Sequence, residues 1–505
     1  MKHGQIFVLF LCGVTILIIL AFARYQQQSG PQLAEPATGV DSTSLDPGGL
    51  QLMQEERRDG EFPETAVVLS RIPFVQKRPD FGGEACVCMM LQAMGESADQ
   101  DFVFDQSGVD PMLGRGCVTR ELVEAVRNIG FRTGETWFPY SEAQRATAIQ
   151  RDWEMISDDI EQGIPSVACL SREGIDSFVL ITGIDTSENE IYYHDPADLH
   201  GDHKKMTLQE WYDAACLPST APGEGFLVRI RLAPDRIMAC AVSETFSAAD
   251  YAQHIRKLRP RIPGEDFNLV IQHPFVVIGN KPAEQIEGHA ERTVQWAVDK
   301  IKQLYFEDDP EEIIDIWLFK DKATYDAYNV QLFGSRPSTP FGYYSPVDRA
   351  LVMNISTGGG TLVHEIVHPF IASNFPRCPS WFNEGLASLY EQSREEDGRI
   401  MGSTNWRLRG LQAAIEEERI GTFLELCNTT RREFYGDIRG TNYAQARYLC
   451  YYLQEKQLLV SFYHRFRENV ADDPSGYDTL QEVLGNPDMD DFQSEWEQFI
   501  MRLRF

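Results

Sequence analysis

The stretch Thr361–Phe370, "TLVHEIVHPF", carries two histidines four positions apart and a glutamate directly after the first. A helix places residues i and i+4 on one face, so His364 and His368 are expected to point into the same cleft. Two imidazole nitrogens at this spacing can bind zinc, and the carboxylate of Glu365 can then reach a water molecule on the metal. The stretch therefore predicts a hydrolytic zinc site in which Glu365 takes the proton of the attacking water.

The same spacing also fits two core histidines on an apolar helix, so a third ligand has to distinguish the two interpretations. A metzincin-type continuation requires glycine and histidine three and six residues after His368, but Ile371 and Asn374 stand there. Further on, "PSWFNEGLASLYE" (Pro379–Glu391) places Glu384 among bulky apolar residues of a second predicted helix. A carboxylate in such surroundings costs free energy unless it is paired or binds a metal, which makes Glu384 the candidate third ligand.

"HEIVH" followed by "WFNEGLASLY" resembles the gluzincin metallopeptidases, whose signature is H-E-x-x-H and then an N-E-x-x-A-type segment. Asn383, Glu384 and Ala387 match that segment. The likeness runs from about Phe267 to the C-terminus and is greatest to the peptidase-MA-like domains of bacterial envelope proteins. It implies a small mixed sheet followed by a helical half.

This resemblance implies a role for each matching residue. The cofactor is expected to be Zn²⁺, with His364, His368 and Glu384 as its ligands and Glu365 as general base. Gluzincins usually add a tyrosine or histidine that hydrogen-bonds the oxyanion, and Tyr443 in "GTNYAQARYLCYYLQE" is the candidate. Ordinary aromatic packing is the alternative for Tyr443, because other tyrosines lie close by.

An earlier pair of segments, "IPFVQKRPDFGGEACVCMMLQAMG" and "DSFVLITGIDTSENEIYYHDPA", resembles the bacteriocin-leader-processing branch of the papain-like cysteine peptidases. Gln76 matches the oxyanion-hole glutamine of that family, and Asp195 matches its aspartate. Gly82 and Ser177, however, occupy the positions of the catalytic cysteine and histidine. Thiol catalysis needs a thiolate and a base, so we expect a papain-like α+β domain that is inactive and either binds peptides or is structural.

A rewired cysteine site is the alternative for this earlier domain. It would use Cys86 as nucleophile and His194 as substitute base. Helical spacing buries Cys86 one turn inside an apolar helix, and strand alternation directs His194 and its neighbour Asp195 to opposite faces. Both features favour the inactive interpretation.

The bulk composition limits the classes of partner. The net charge is −30, so duplex nucleic acid and anionic membrane surfaces are poor partners. The apolar run Ile6–Ala23 predicts a signal peptide or a retained membrane anchor, followed by a flexible Pro-, Gly-, Ser- and Gln-rich linker. A length of 505 residues is natural for two domains. The predicted α/β and α+β organisation is residues 1–24 signal or anchor, 25–65 linker, 66–232 cysteine-peptidase-like domain, 233–265 connector and 266–505 zinc metallopeptidase domain.

Together these features predict an exported zinc metallopeptidase of a bacterial cell envelope or periplasm, with peptides or proteins as substrates. A membrane contact is expected only if the N-terminal segment stays uncleaved. Two other functions remain open: a non-enzymatic envelope binding protein, and a cysteine peptidase built on Cys86. Loss of any one residue of the zinc set would favour the binding protein, and the set is intact.

Pro369 adds a prediction about shape. It follows His368 directly and removes the backbone hydrogen bond to the carbonyl of Glu365. We therefore expect the helix to bend or loosen just beyond His368. The chain through "SNFPRCP" should then turn back and bring Glu384 to the histidines.

Overall fold

A sheet-rich first half is followed by a second half that ends in helices in the computed structural model, which describes residues 62–240, 246–437 and 439–505. The predicted signal or anchor at 1–24 and nearly all of the linker at 25–65 lie outside the described residues. Within the described ranges, no helix is both long and apolar enough to cross a membrane. Export and membrane attachment therefore stay predictions.

The first half combines helices with an antiparallel sheet. Its helices are α1 (Gly82–Ala93), α2 (Gln100–Asp105), α3 (Thr119–Ile129), α4 (Arg145–Glu161) and α5 (Leu208–Ala215). Its strands are β1 (Ala66–Val68), β2 (Phe131–Arg132), β3 (Trp137–Ser141), β4 (Ser166–Arg172), β5 (Ile175–Asp185), β6 (Glu190–His194), β7 (Lys204–Thr207), β8 (Leu217–Pro218), β9 (Glu224–Arg231) and β10 (Ala233–Pro234). The sheet order is β3-β9-β4-β5-β6-β7, with β1 on β5 and β8 on β9.

Local sequence explains these elements. Helix α1 is buried along its first ten residues, as its apolar density predicts. Helix α3 buries one amphipathic face and ends at Gly130, whose φ of 114° is a left-handed conformation that favours glycine. The turn "DTSEN" joins β5 to β6 in the predicted hairpin. The mixed α/β character of this half is confirmed.

The predicted connector at 233–265 contains a helix, α6 (Ala248–Leu258). Ser247 caps its N-terminus by accepting a hydrogen bond from the backbone N–H of Asp250. One face of α6 adds Ala252 to the apolar core of the first half, and another adds Ile255 to the core around the second sheet. The connector is therefore a packed helical element. Its apolar residues are spread among many charged ones, so the sequence pattern did not predict this packing.

The second half begins with a small mixed sheet. Its strands are β11 (Asn268–Gln272), β12 (Phe275–Gly279), β13 (Ile314–Phe319), β14 (Gly342–Ser345) and β15 (Ala350–Asn354), in the order β11-β12-β13-β15-β14. The central strands β12, β13 and β15 are parallel, whereas the outer strands pair antiparallel. Its helices are α7 (Ala283–His289), continued by a π-helical turn into α8 (Trp296–Leu304), and α9 (Lys322–Phe333).

Helices dominate the rest of the chain. They are α10 (Gly360–Asn374), α11 (Ser380–Tyr390), α12 (Arg407–Glu416), α13 (Phe423–Cys427), α14 (Arg431–Gly436), α15 (Thr441–Glu455), α16 (Leu459–Asn469), α17 (Tyr477–Val483) and α18 (Met489–Arg502). The helical C-terminal half is confirmed. The described residues belong to one compact unit with separate apolar cores, and the two-domain boundaries stay predictions.

One hairpin, which the sequence analysis did not predict, interrupts the helices. Strands β16 (Ser393–Glu396) and β17 (Arg399–Gly402) pair across the turn Asp397–Gly398. Both turn residues have positive φ, at 51° and 76°. An Asp-Gly pair is a strong hairpin signal, so this strand pair was readable in the sequence.

Helix α10 continues past Pro369, so the expected loosening beyond His368 is not seen, while the alternative, a bend, stays a prediction. The helix runs without interruption from Gly360 to Asn374, with Pro369 inside it. Ile366, Phe370 and Ile371 are at most 2% exposed on either side of the proline. Burying each such side chain contributes about 1.5–3 kcal/mol, which outweighs the cost of one lost hydrogen bond. The helix therefore continues for more than a turn and ends just before the segment that leads back to α11.

Candidate metal centre and cleft

The four predicted residues of the zinc site form one cluster across α10 and α11. Nε2 of His364 lies 3.3 Å from Oε2 of Glu384, and Nε2 of His368 lies 3.9 Å from Oε1 of the same carboxylate. Oε2 of Glu365 lies 3.9 Å from Nε2 of His368. All four side chains are at most 13% exposed. The structure thus brings together every residue that the sequence proposed for metal binding.

Two glycines allow the helices to come this close. A Cβ at Gly360, at the start of α10, would lie 2.1 Å from the carbonyl oxygen of Glu391, just past the end of α11. A Cβ at Gly385, next to the candidate ligand, would lie 3.0 Å from the carbonyl oxygen of Ala446 on α15. A side chain at either position would collide with these carbonyl oxygens, so both glycines permit the close packing of the elements around the site.

The donor set fits zinc. Two imidazoles and one carboxylate, with a second carboxylate beside them, are the groups that hydrolytic zinc sites use. Ligands of a tetrahedral zinc lie about 3.3 Å from one another, because each sits about 2.0–2.1 Å from the metal. The His364–Glu384 contact has this separation. Among the described residues, no Lys or Arg forms an ion pair with Glu365 or Glu384, so a cation would compensate both buried carboxylates.

Asn383 orients one of the histidines. Its Oδ1 lies 2.8 Å from Nδ1 of His368. An amide oxygen can only accept, so Nδ1 of His368 carries the proton and Nε2 presents its lone pair to the cluster. The sequence had flagged Asn383 as a motif match, but its contact with the histidine was not foreseen.

Charge coupling within the cluster is strong. Burial acts to raise the pKa of Glu384, yet His368, His364 and the hydroxyl of Tyr435 lower that pKa to about 2. Burial acts to lower the pKa of His364, but its contact with Glu384 and the charge of Glu365 raise that pKa above its ordinary value. The site therefore attracts positive charge, as a metal site must.

Two tyrosines stand beside the cluster, and only one was anticipated. The hydroxyl of Tyr435, on α14, donates a 2.7 Å hydrogen bond to Oε1 of Glu384. The predicted Tyr443, at the start of α15, packs its ring 6.1 Å from that of Tyr435. Burial and the charge of Glu384 raise the pKa of both phenols, so each stays a proton donor at neutral pH. Tyr435 was missed because α14 is short and carries no motif.

A cleft of about 1020 Å³ opens onto the cluster. The edge strand β14, helix α14 and the start of α15 all contribute residues to its lining. Exposed aromatic side chains on its rim include Phe341, which is 49% exposed, and Trp406, which is 61% exposed. A concave site with apolar rims and a few convergent polar groups is suited to binding an extended peptide.

Gly82 and Ser177, the positions that match the cysteine and histidine of the cysteine peptidases, also lie close together, but neither residue is a catalytic group. A Cβ at Gly82 would lie 3.8 Å from the backbone nitrogen of Phe178, directly beside Ser177. Ser177 Oγ lies 3.5 Å from the carbonyl oxygen of Leu170. Gln76 is exposed, and its backbone carbonyl accepts a hydrogen bond from Gln100. The corresponding positions are therefore adjacent in space, while thiol and imidazole are both missing.

The remaining aspartate of this site is neutralised within the chain. Nη1 of Arg172 donates to Oδ2 of Asp195 at 2.8 Å. The neighbouring His194 is fully buried, with Nε2 3.1 Å from the carbonyl oxygen of Ile72 and Nδ1 accepting from the backbone N–H of His203. Burial and the nearby His203 lower the pKa of His194 to about 4. Both ring nitrogens are occupied, so His194 is neither a free base nor a free metal ligand, although Asp202 also lies near it.

Cys86 is a poor nucleophile in this structure. Its side chain is fully buried in α1, and burial together with the charge of Asp195 raises the pKa of its thiol well above the ordinary value. A thiolate, the reactive form, is therefore disfavoured. All nine cysteines in the described ranges are unpaired.

Comparisons with known proteins concern the first half of the chain. Residues 70–216 match the Peptidase_C39 like family. Among solved structures, one match is the crystal structure of the peptidase domain of Streptococcus ComA, a bi-functional ABC transporter involved in quorum sensing. It is 12% identical, covers 32% of this chain and 98% of the other, and has a TM-score of 0.22. No curated protein matches the chain. The family match bears out the predicted resemblance to C39-type cysteine peptidases for residues 70–216, and the gluzincin resemblance stays a prediction.

Proposed function

We propose that the chain is an exported zinc-dependent metallopeptidase that hydrolyses peptide bonds with its second half. The cluster of His364, His368, Glu365 and Glu384 carries this proposal, because it gathers a complete hydrolytic donor set at the base of a cleft. The chain supplies no Lys or Arg to balance the two carboxylates within the described residues, and burying them unbalanced is costly. When bound, zinc supplies Lewis acidity, which lowers the pKa of water and polarises a carbonyl.

Each side chain has a stated part in this proposal. His364, His368 and Glu384 would hold the zinc. The carboxylate of Glu365 takes the proton of the attacking water and delivers it to the leaving amine nitrogen. A phenol of Tyr435 or Tyr443 donates a hydrogen bond to the oxygen that gains negative charge.

The first half has a non-catalytic part in this proposal. Its match to C39-type peptidases supports an origin as a peptide-binding domain, and Gly82 and Ser177 replace the nucleophile and base. We propose that it binds peptide or serves as structure. The proposed setting is a bacterial cell envelope or periplasm, with peptide or protein substrates, no nucleic acid, and a membrane contact through residues 1–24 if they are retained.

A cysteine peptidase is the second candidate function, because the family match covers the first half and not the second. Cys86 would be its nucleophile. The buried, protonated thiol and the fully hydrogen-bonded His194 both oppose it. A binding protein without activity in either half is the third candidate, and the complete zinc set opposes that one.

Cleavage profiling separates these candidates. The full chain is incubated with a proteome-derived peptide library, and new peptide ends are identified by mass spectrometry for wild type, Glu365→Gln and Cys86→Ala. We expect Glu365→Gln to abolish cleavage while zinc stays bound, since Glu365 is not a ligand. We expect Cys86→Ala to leave cleavage unchanged.

Glu416→Gln is the matched control, because Glu416 is an exposed glutamate at the end of α12, away from the cleft. Loss of cleavage in Cys86→Ala alone would establish the cysteine peptidase. Absence of any product that depends on either Glu365 or Cys86 would favour the binding protein.

A further inference from the structure

The cleft is lined by three arginines, and two of them have no carboxylate partner among the described residues. Seven charged side chains line it, namely Glu365, Glu384, Glu391, Arg407, Arg431, Asp437 and Arg439. Glu365 and Glu384 belong to the candidate metal cluster. Arg407 pairs with Glu391. Asp437 accepts the backbone N–H groups of Arg439 and Asn442. Arg431 and Arg439 are then left without a carboxylate partner in the described part of the chain.

Arg431 is held close to the metal cluster. Its Cζ lies 5.1 Å from the centre of the Tyr435 ring, a cation–π contact. The hydroxyl of that same ring donates to Glu384. The guanidinium is thus one aromatic ring away from a candidate zinc ligand. Cation–π contact holds the group against the cleft wall and leaves its N–H donors available to a substrate.

The two arginines have the opposite sign to the net charge of the chain. The net charge of −30 repels anionic substrates at long range. Two unpaired arginines at the cleft therefore act locally, and the planar guanidinium binds a carboxylate through two parallel hydrogen bonds.

We propose that the cleft selects peptides with a carboxylate on the Tyr435 side of the cleaved bond, bound by Arg431, while Arg439 lines the same cleft. The carboxylate is that of an acidic side chain or that of the peptide's own C-terminus. This inference rests on the proposed metallopeptidase function. It assigns the substrate class and leaves the hydrolytic chemistry unchanged.

Cleavage profiling of the full, zinc-loaded chain tests the selection. The wild type is expected to cut library peptides with acidic residues or a free C-terminus within a few positions of the cut. Matched synthetic peptides then separate the two sources: one pair carries Asp or Asn near the cut, and another ends in a free acid or an amide. The preferred acid form should exceed its neutral partner about tenfold in kcat/KM, the value of one charge-assisted hydrogen bond pair.

Variants at neighbouring positions make the test specific. Arg431→Gln should remove the preference, so that the acid and neutral peptides are cut with equal kcat/KM, whereas Arg431→Lys should retain part of the preference. Arg432→Gln is the control, because Arg432 is the next residue of α14, exposed and outside the cleft. Glu365-dependent cleavage with no acid preference would overturn the substrate class and leave the metallopeptidase standing. Absence of Glu365-dependent cleavage would overturn both.

Discussion

The carboxylates of Glu384 and Asp195 lie in two candidate peptidase sites, and they differ in the groups that contact them. Asp195 is buried and receives a hydrogen bond from the guanidinium of Arg172. Glu384 is equally buried but faces two imidazoles and a tyrosine hydroxyl. The first site is satisfied by groups of the chain itself. The second is left with negative charge that an external cation would balance. A buried carboxylate paired with an arginine thus needs no further partner, whereas one facing imidazoles can still bind a cation.

The largest effect is expected when a ligand is removed from the candidate metal cluster around Glu384. His364→Ala should lower peptide cleavage more than a thousandfold, since two ligands hold zinc far less tightly than three. Cleavage is measured on the library described above. His464→Ala is the matched control, because its Nε2 lies 3.2 Å from the carbonyl oxygen of Leu304, away from the cleft. Comparable activity in the two variants would refute the assigned role of His364.

The next effect concerns the phenol beside Glu384. Tyr435→Phe should lower kcat about tenfold to a hundredfold, because the hydrogen bond that holds the candidate ligand Glu384 in place is lost. Tyr443→Phe should cost less, since the 2.7 Å hydrogen bond to Glu384 comes from Tyr435. Tyr452→Phe provides the control: Tyr452 also donates to a glutamate, Glu495, but lies outside the cleft. A larger loss in Tyr443→Phe would restore the assignment made from sequence.

A smaller effect is expected at the amide that orients His368. Asn383→Ala should weaken zinc affinity about tenfold, the lower end for a group that orients a metal-ligating histidine. Competition with a fluorescent zinc chelator measures this affinity. Asn428→Ala serves as control, since its side chain is exposed and donates to the carbonyl of Leu424. Unchanged affinity in Asn383→Ala would show that packing alone orients the imidazole.

The smallest effect is expected in the first half, at the site formed by Gly82, Ser177 and Asp195. Gly82→Cys should produce no new cleavage, although a Cβ at this position has no neighbour closer than 3.8 Å and the thiol therefore fits. Ser177 supplies no base, and Asp195 is engaged by Arg172. The variant is assayed in a Glu365→Gln background with a thiol-blocking reagent as control. Thiol-dependent cleavage there would show that the first half retains a working base.

Much of this architecture follows from local pattern. The histidine pair, Glu384, helix α1 and the β5–β6 hairpin were predicted from spacing and apolar periodicity, and the structure places them accordingly. The Asp397–Gly398 hairpin was missed because neighbouring helical patterns outweighed a clear turn signal. Pro369 does not end its helix, because the burial of its apolar neighbours offsets the lost backbone hydrogen bond. Tyr435 could not be found, since its contact with Glu384 depends on how two distant helices pack.

The metal content of the purified chain tests the central claim most directly. The full chain is prepared without chelators and analysed by inductively coupled plasma mass spectrometry, with His364→Ala in parallel. We expect about one zinc per wild-type chain and nearly none in the variant. Wild-type protein without bound metal, or equal zinc in both proteins, would contradict a zinc site at His364, His368 and Glu384.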